Sequence, residues 1–263
     1  MFTLSAASGW FDGDICDRYY AAAKNGFRAM EDLGWVGRDL DKIRAAIDGS
    51  GVELSAILFQ SADPAKQALI ANSHGIVWED AQDAFVDAIA ETLEAAKKLN
   101  VKNIVVTTGN ERSDVSRYVQ HTNVVTALRR AAKIVEGTGV QLVLEPLNIL
   151  VNHKGYYLVT TAESAEIIDE VNSPVVKILY DVYHQQISEG NVIDNIRANI
   201  DRIGHIHVAD VPGRREPGTG ELNYKNIFKA IADTGYNGFV TFECGRSVDA
   251  ETVCRNMLAL LDW

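Results

Sequence analysis

The feature that most constrains this chain is a recurring order of parts: a short apolar run, a turn, then an amphipathic stretch, repeated along all 263 residues. Eight runs read as strands: Thr3–Ala7, Phe27–Met30, Glu53–Leu58, Asn103–Thr107, Gln141–Glu145, Val176–Tyr180, His205–Val208 and Phe239–Phe242. Runs such as NIVVTT and VKILY lack polar alternation, the mark of strands buried on both faces, as parallel strands are. Between them apolar residues fall at helical spacing. Leu40, Ile43, Ala46 and Ile47 precede Gly49, an expected stop. Phe85, Ile89 and Leu93 form one stripe of a helix over Asp80–Leu99 that Asn100 would cap, and Val253, Met257 and Leu260 face inward from a closing helix over Asp249–Leu261. Such alternation requires a parallel α/β architecture. A (β/α)₈ TIM barrel needs roughly 250 residues, so residues 1–263 fit one such domain. An open doubly wound sheet would carry GxGxxG after its first strand, and SAASGWFDGD does not match it.

Composition narrows the function classes. A 47% hydrophobic content supports a sizeable core, yet no apolar run reaches the roughly 18 residues of a membrane span. The opening MFTLSAASGWFDGD has no basic segment ahead of an apolar one, so no secretory signal is expected. The net charge of −11 disfavours a nucleic-acid partner. Cys16, Cys244 and Cys254 are odd in number and scattered, which points to reduced thiols in a cytoplasmic protein rather than disulfides or a thiolate zinc site.

Active sites of β/α barrels gather at the C-terminal ends of the strands. The last four runs each carry an ionisable residue there: Glu145 ends QLVLE, Asp181 ends VKILYD, His207 lies in HIHVAD and Glu243 ends FVTFE. Separations of 36, 26 and 36 residues each span about one β/α unit, so neighbouring strands would bring the four side chains to one point. Three carboxylates and an imidazole form a hard, oxygen-rich donor set suited to Mn²⁺, Mg²⁺ or Co²⁺ rather than to structural zinc. Without a cation the carboxylates would repel one another. A single acid at a strand end is ordinarily a helix cap or a solvated loop residue; four in register point to a metal centre. His205 shares a strand face with His207, one layer deeper, where a polar partner is expected. His184 falls three residues past Asp181 and reads as a rim-loop residue facing substrate oxygens or solvent, while His74 and His121 have no supporting context.

The segments LEPLN, GYYL, DVYHQQISEGN, GHIHVADVPGRREPGTGELNY and FVTFEC resemble the hydroxypyruvate isomerase family, which sits within the xylose-isomerase-like barrel group beside the ketose 3-epimerases. The resemblance spans nearly the whole chain, with its sharp motifs after residue 140 and VPGRREPGTGELNY the most specific. It implies a β/α barrel with a divalent metal ion, a small sugar or hydroxy-keto acid as substrate, and a homodimer or homotetramer. Carried over by position, it implies Glu145, Asp181, His207 and Glu243 as metal ligands and Glu145 and Glu243 also as the acid/base pair. It further implies His184 and Arg214 as substrate contacts, and Glu31, at the end of the second strand, as an acidic residue lining the barrel mouth. The family tends to carry Gln where this chain has His207, and the ketose 3-epimerases carry His. The substrate therefore stays open between the two.

The chemistry such a set can perform begins with removal of a proton α to a carbonyl, each positioned acid or base contributing roughly 10²–10⁴-fold. Return of the proton to the adjacent carbon is isomerisation, and return to the same carbon from the other face is epimerisation. Arg214 would orient hydroxyls or a carboxylate, against the alternative that Arg214 and Arg215 are solvated loop charges. The PGTG turn at Pro217–Gly220 reads as loop-shaping rather than phosphate-binding. Trp10, Trp35 and Phe59 are candidates to wall the site, with packing the default role of each. Three rivals share part of this pattern. They are a dehydratase of a sugar- or inositol-derived ketone, a metal phosphodiesterase resembling endonuclease IV, and a sugar-binding protein without turnover. The phosphodiesterase is disfavoured by the acidic charge and by a third strand ending in ILFQ rather than in histidine.

Overall fold

The computed structural model describes residues 1–262. Its strands are β1 (Thr3–Ala7), β2 (Ala29–Glu31), β3 (Glu53–Leu54), β4 (Ile57–Leu58), β5 (Asn103–Val106), β6 (Gln141–Leu144), β7 (Val176–Asp181), β8 (Ile203–Val208) and β9 (Phe239–Phe242). Every pairing is parallel, in the order β3-β2-β1-β9-β8-β7-β6-β5-β4. The two ends of that order are consecutive in the chain, separated by Ser55 and Ala56. They are the two halves of the strand expected over Glu53–Leu58, one paired with β2 and the other with β5. Ser55 N–H donates to the Met30 carbonyl and Phe59 N–H to the Val105 carbonyl, so the chain itself closes the ring. A closed sheet needs tilted, staggered strands, and the break at Ser55–Ala56 is where this strand changes partner.

Ten α-helices among the described residues follow the strands: α1 (Ile15–Lys24), α2 (Leu40–Ser50), α3 (Pro64–Ile70), α4 (Gln82–Leu99), α5 (Arg117–Val135), α6 (Thr161–Val171), α7 (Val182–Ser188), α8 (Val192–Asn199), α9 (Tyr224–Asp233) and α10 (Ala250–Leu258). Side chains accept backbone N–H groups at many of their starts, for example Asp14, Asp39, Ser116, Thr160 and Asp249, each such cap being worth about 0.5–2 kcal/mol. Asn100 does cap α4, with φ of 60°. Gly49 does not stop α2. The helix runs through it to Ser50 and ends at Gly51, whose φ is 69°. Gly49 instead leaves room for the Tyr20 hydroxyl, into which a Cβ would run. The closing helix ends at Leu258, with Val253 and Met257 buried and Leu260 in a following 3₁₀ turn.

A large apolar cluster fills the layer between sheet and helices, while Ala56, Val105, Val143 and Leu179 form a separate buried cluster. Because side chains alternate along a strand, Val143, Leu179, His205 and Thr241 share a face with Glu145, Asp181, His207 and Glu243, two residues further on. The apolar and polar lower layer thus supports the charged upper one. Among the described residues no helix is long and apolar enough to cross a membrane, and the three cysteines are unpaired. Leu179 is fully buried, so Leu179→Ala is expected to cost about 2–5 kcal/mol in urea unfolding. A loss within about 0.5 kcal/mol, the size of a surface substitution, would contradict a packed lumen.

Candidate metal centre

The four strand-end residues converge. Asp181 ends β7 and lies in register with His207 of β8, which in turn is in register with Thr241 of β9, two residues before Glu243. Glu145 directly follows β6; its N–H donates to the Val106 carbonyl and its own carbonyl accepts the Tyr156 hydroxyl. One donor atom from each of Glu145, Asp181, His207 and Glu243 lies within 4.8 Å of the other three. Nδ1 of His207 is 3.7 Å from Glu145 Oε1 and 3.3 Å from Glu243 Oε2. Glu145, Asp181 and His207 are buried and Glu243 is half-buried.

These residues fit a divalent cation on their own chemistry. Asp181 Oδ1 caps α7, accepting the N–H groups of Tyr183 and His184, whereas Oδ2 is buried with no hydrogen-bond partner among the described residues. His207 Nδ1 is likewise buried without a hydrogen-bond partner, whereas Nε2, also without a directed bond, stands 2.9 Å from Glu31 Oε1. Such orphans are rare in folded proteins and call for an explanation, and an ion shared by three carboxylates and an imidazole supplies one.

The charges are unequal. Burial, together with the nearby Glu243 and Asp181, lifts Glu145 to about 7 despite its contact with His207. Burial would also raise Glu243, but His207 and Arg214 outweigh it and hold that carboxylate well below the usual range. Burial opposes a charge on His207, yet Glu31, Glu145 and Glu243 prevail and raise it well above its ordinary value. Arg214 Nη2 lies 2.5 Å from Glu243 Oε2 and 3.7 Å from Asp181 Oδ2.

The remaining expected site residues are placed as follows. His184 is not in a rim loop; it is fully buried in the first turn of α7. Its Nδ1 accepts the Asn148 backbone and side-chain N–H groups at 3.2 and 2.7 Å. The unpartnered Nε2 is 3.5 Å from Asp181 Oδ2. Burial lowers His184 to about 4, so it is neutral and directs an N–H at the centre. Glu31 is buried, with both of its carboxylate oxygens engaged. One oxygen accepts from Ser55 Oγ and His205 Nε2, and the other stands 2.9 Å from His207 Nε2. It lines a cavity of about 330 Å³ that also touches Ser8, Gly34, Thr241, Glu243 and Cys244. His205 has the polar surroundings expected of it, with Glu31, Asn103 and Thr241 as neighbours.

Arg214 takes a left-handed φ of 52° in a loop organised by Asp210. That buried carboxylate accepts the N–H groups of Val211, Gly218, Gly220 and Leu222. The PGTG turn therefore turns two of its N–H groups to Asp210, which leaves them no phosphate to cradle. A Cβ at Gly220 would run into the Val211 carbonyl. Trp10 and Phe59 pack in the outer core, against Phe27 and Phe242 and against Phe85 respectively, and the Trp35 indole donates to the Leu58 carbonyl. Sequence reasoning missed Asp210, Asn148 and Asn103. Asp210 had a usable signal, an acid directly ahead of a Pro/Gly-rich loop.

A group ligates an ion only after losing its proton. Glu145 and His207, both raised, hold protons in the ion-free protein. Affinity for Mn²⁺ is therefore expected to rise from about pH 6 to pH 8 with proton release, measured by titration calorimetry in buffers of different ionisation heat. A flat affinity without proton release would contradict this electrostatic account.

Comparison with known proteins identifies the family. The sequence pattern of the family described as xylose isomerase-like TIM barrel matches residues 19–262. The chain is 32% identical over 231 residues to the hydroxypyruvate isomerase of Escherichia coli K12, covering 88% of this chain and 87% of that protein. It is 34% identical over 228 residues to the 2-oxo-tetronate isomerase of Cupriavidus necator, covering 86% and 85%. Among solved structures, the AP endonuclease, family 2 from Brucella melitensis superposes with a TM-score of 0.88 at 24% identity over 98% of both chains, a likeness of fold. The chain thus belongs to the xylose isomerase-like TIM barrel family, grouping there with the hydroxypyruvate isomerases.

Proposed function

We propose that this protein is a divalent-metal-dependent isomerase of a small hydroxy-keto acid, moving a carbonyl by one carbon through an enediolate. The observation that carries the reading is the pair Glu145 and Glu243. They flank one imidazole at the barrel mouth, the first inclined to hold a proton and the second to remain ionised. Two titratable groups pushed apart in this way have the character of an acid/base pair.

In this reading Glu145, Asp181, His207 and Glu243 hold the ion, which supplies Lewis-acid polarisation and fixed positive charge. With the ion bound both glutamates are ionised. Glu243 removes the proton α to the carbonyl, and Glu145, the more basic of the two, takes the proton of the hydroxyl on that carbon. Glu145 then gives its proton to the former carbonyl carbon and Glu243 to the former carbonyl oxygen, so both return to their starting state. The His184 Nε2–H has no protein acceptor among the described residues and donates to a substrate oxygen. Arg214 reaches the same carboxylates from the β8–α9 loop. It is the cation that the carboxylate of a keto acid would meet. The names of the two relatives support a 2-oxo acid over a neutral ketose. His207 favours a second reading, ketose 3-epimerisation, because the resemblance to the epimerases rests on that residue.

The test is incubation of Mn²⁺-loaded protein in D₂O with hydroxypyruvate and a panel of short ketoses. Deuterium at the original carbonyl carbon in the isomeric aldehyde, and at the carbon next to the carbonyl in hydroxypyruvate re-formed by the back reaction, is expected. Exchange only at C3 of a ketose would transfer the assignment to an epimerase, and loss of water would point to a dehydratase. Glu145→Gln and Glu243→Gln should each lower kcat by roughly 10²–10⁴-fold without lowering the melting temperature. Near-native turnover in either would refute its role.

A further inference from the structure

Beneath the four strand-end residues lies a buried polar chain whose proton directions can be worked out. Gln141 Nε2 donates to the Gly204 carbonyl at 3.2 Å and to Asn103 Oδ1 at 2.7 Å. That sets the Asn103 amide, whose Nδ2 faces the Ser55 carbonyl at 2.8 Å and His205 Nδ1 at 3.4 Å. The flipped amide would oppose its oxygen to the Ser55 carbonyl. With an N–H facing it, His205 Nδ1 is the acceptor, so the His205 proton sits on Nε2. This N–H donates to Glu31 Oε2 at 2.9 Å, and Ser55 Oγ donates to the same oxygen at 3.2 Å.

Glu31 is thus anchored through Oε2, and its Oε1 is presented to His207 Nε2 at 2.9 Å. An ionised carboxylate only accepts hydrogen bonds, and two lone pairs at that separation would repel. The proton of a neutral His207 therefore belongs on Nε2. Its other nitrogen, Nδ1, is the one that faces Glu145 and Glu243.

We propose that Glu31 is a positioning residue for the metal centre: held by Ser55 and His205, it faces the Nε2–H of His207 as acceptor, keeps the proton on that nitrogen and leaves the Nδ1 lone pair toward Glu145 and Glu243. This rests on the metal-dependent reading above and extends it to a residue outside the four strand-end ligands. Outer carboxylates of this kind orient a ligand imidazole and raise its basicity, and their loss typically weakens metal binding by about 10–100-fold. Glu31→Gln keeps the shape but offers one acceptor and one donor, so an N–H must then confront either His205 or His207.

The test combines two measurements. Calorimetric titration with Mn²⁺ alone compares the native protein with Glu31→Gln, and ¹⁵N NMR of the native protein loaded with diamagnetic Mg²⁺ reads the His207 tautomer. The expected results are about 10–100-fold weaker Mn²⁺ binding in the variant at an unchanged melting temperature, and a His207 proton on Nε2. Equal affinities, or a His207 proton on Nδ1, would overturn the positioning role while the centre itself stands. Absence of Mn²⁺ binding to the native protein would remove the centre and this role together. Should Glu31→Gln fail to fold, the native tautomer decides alone.

Discussion

Everything at the mouth of this barrel depends on how three carboxylates tolerate one another in a buried place. Removing charges from water costs several kcal/mol per ion unless each is well compensated. Here the compensation is divided: Arg214 faces Glu243 and Asp181, His207 stands between Glu145 and Glu243, and α7 gives its first N–H groups to Asp181. Glu145 receives least and leans toward its protonated form. The orphaned Asp181 Oδ2 and His207 Nδ1 leave the balance among protein groups incomplete. In the function proposed here a divalent cation would complete it, and the asymmetry between the two glutamates would let them take different roles in moving a proton.

The barrel makes this arrangement possible through the two-residue period of its strands. Each upper-layer side chain has a lower-layer neighbour on the same face, apolar under Glu145 and Asp181, polar under His207 and Glu243. The polar half carries the hydrogen-bonded path from Gln141 to Glu31. Beyond the strands, the β8–α9 loop places Arg214 by folding around a single carboxylate, Asp210, and its backbone also bonds to Gly245, just past β9.

Much of this was legible in the amino-acid order because it follows from local periodicity. Apolar runs such as NIVVTT have no polar alternation to misread, and an acid or imidazole closing each of the last four stands out against them. The legible part ended where long-range pairing took over. Nothing in Glu53–Leu58 announces that Ser55 and Ala56 divide it between two partners. Gly49 looked like a helix stop because its other purpose, room for Tyr20 on the neighbouring helix, depends on packing between α1 and α2. His184 looks like a rim-loop residue in the sequence because a seven-residue helix following directly on β7 leaves little periodic signal. The inward turn of Glu31 toward two histidines 174 and 176 positions away is a tertiary fact, with no trace in its immediate neighbours.

The central claim is that one cation is shared by side chains from four successive strand ends. Crystals grown with Mn²⁺ test it most directly, through anomalous scattering at the manganese edge. A single peak within bonding distance of Glu145, Asp181, His207 and Glu243 is the predicted result. No peak there, or a peak bound by other residues while these four turn away from one another, would contradict the account.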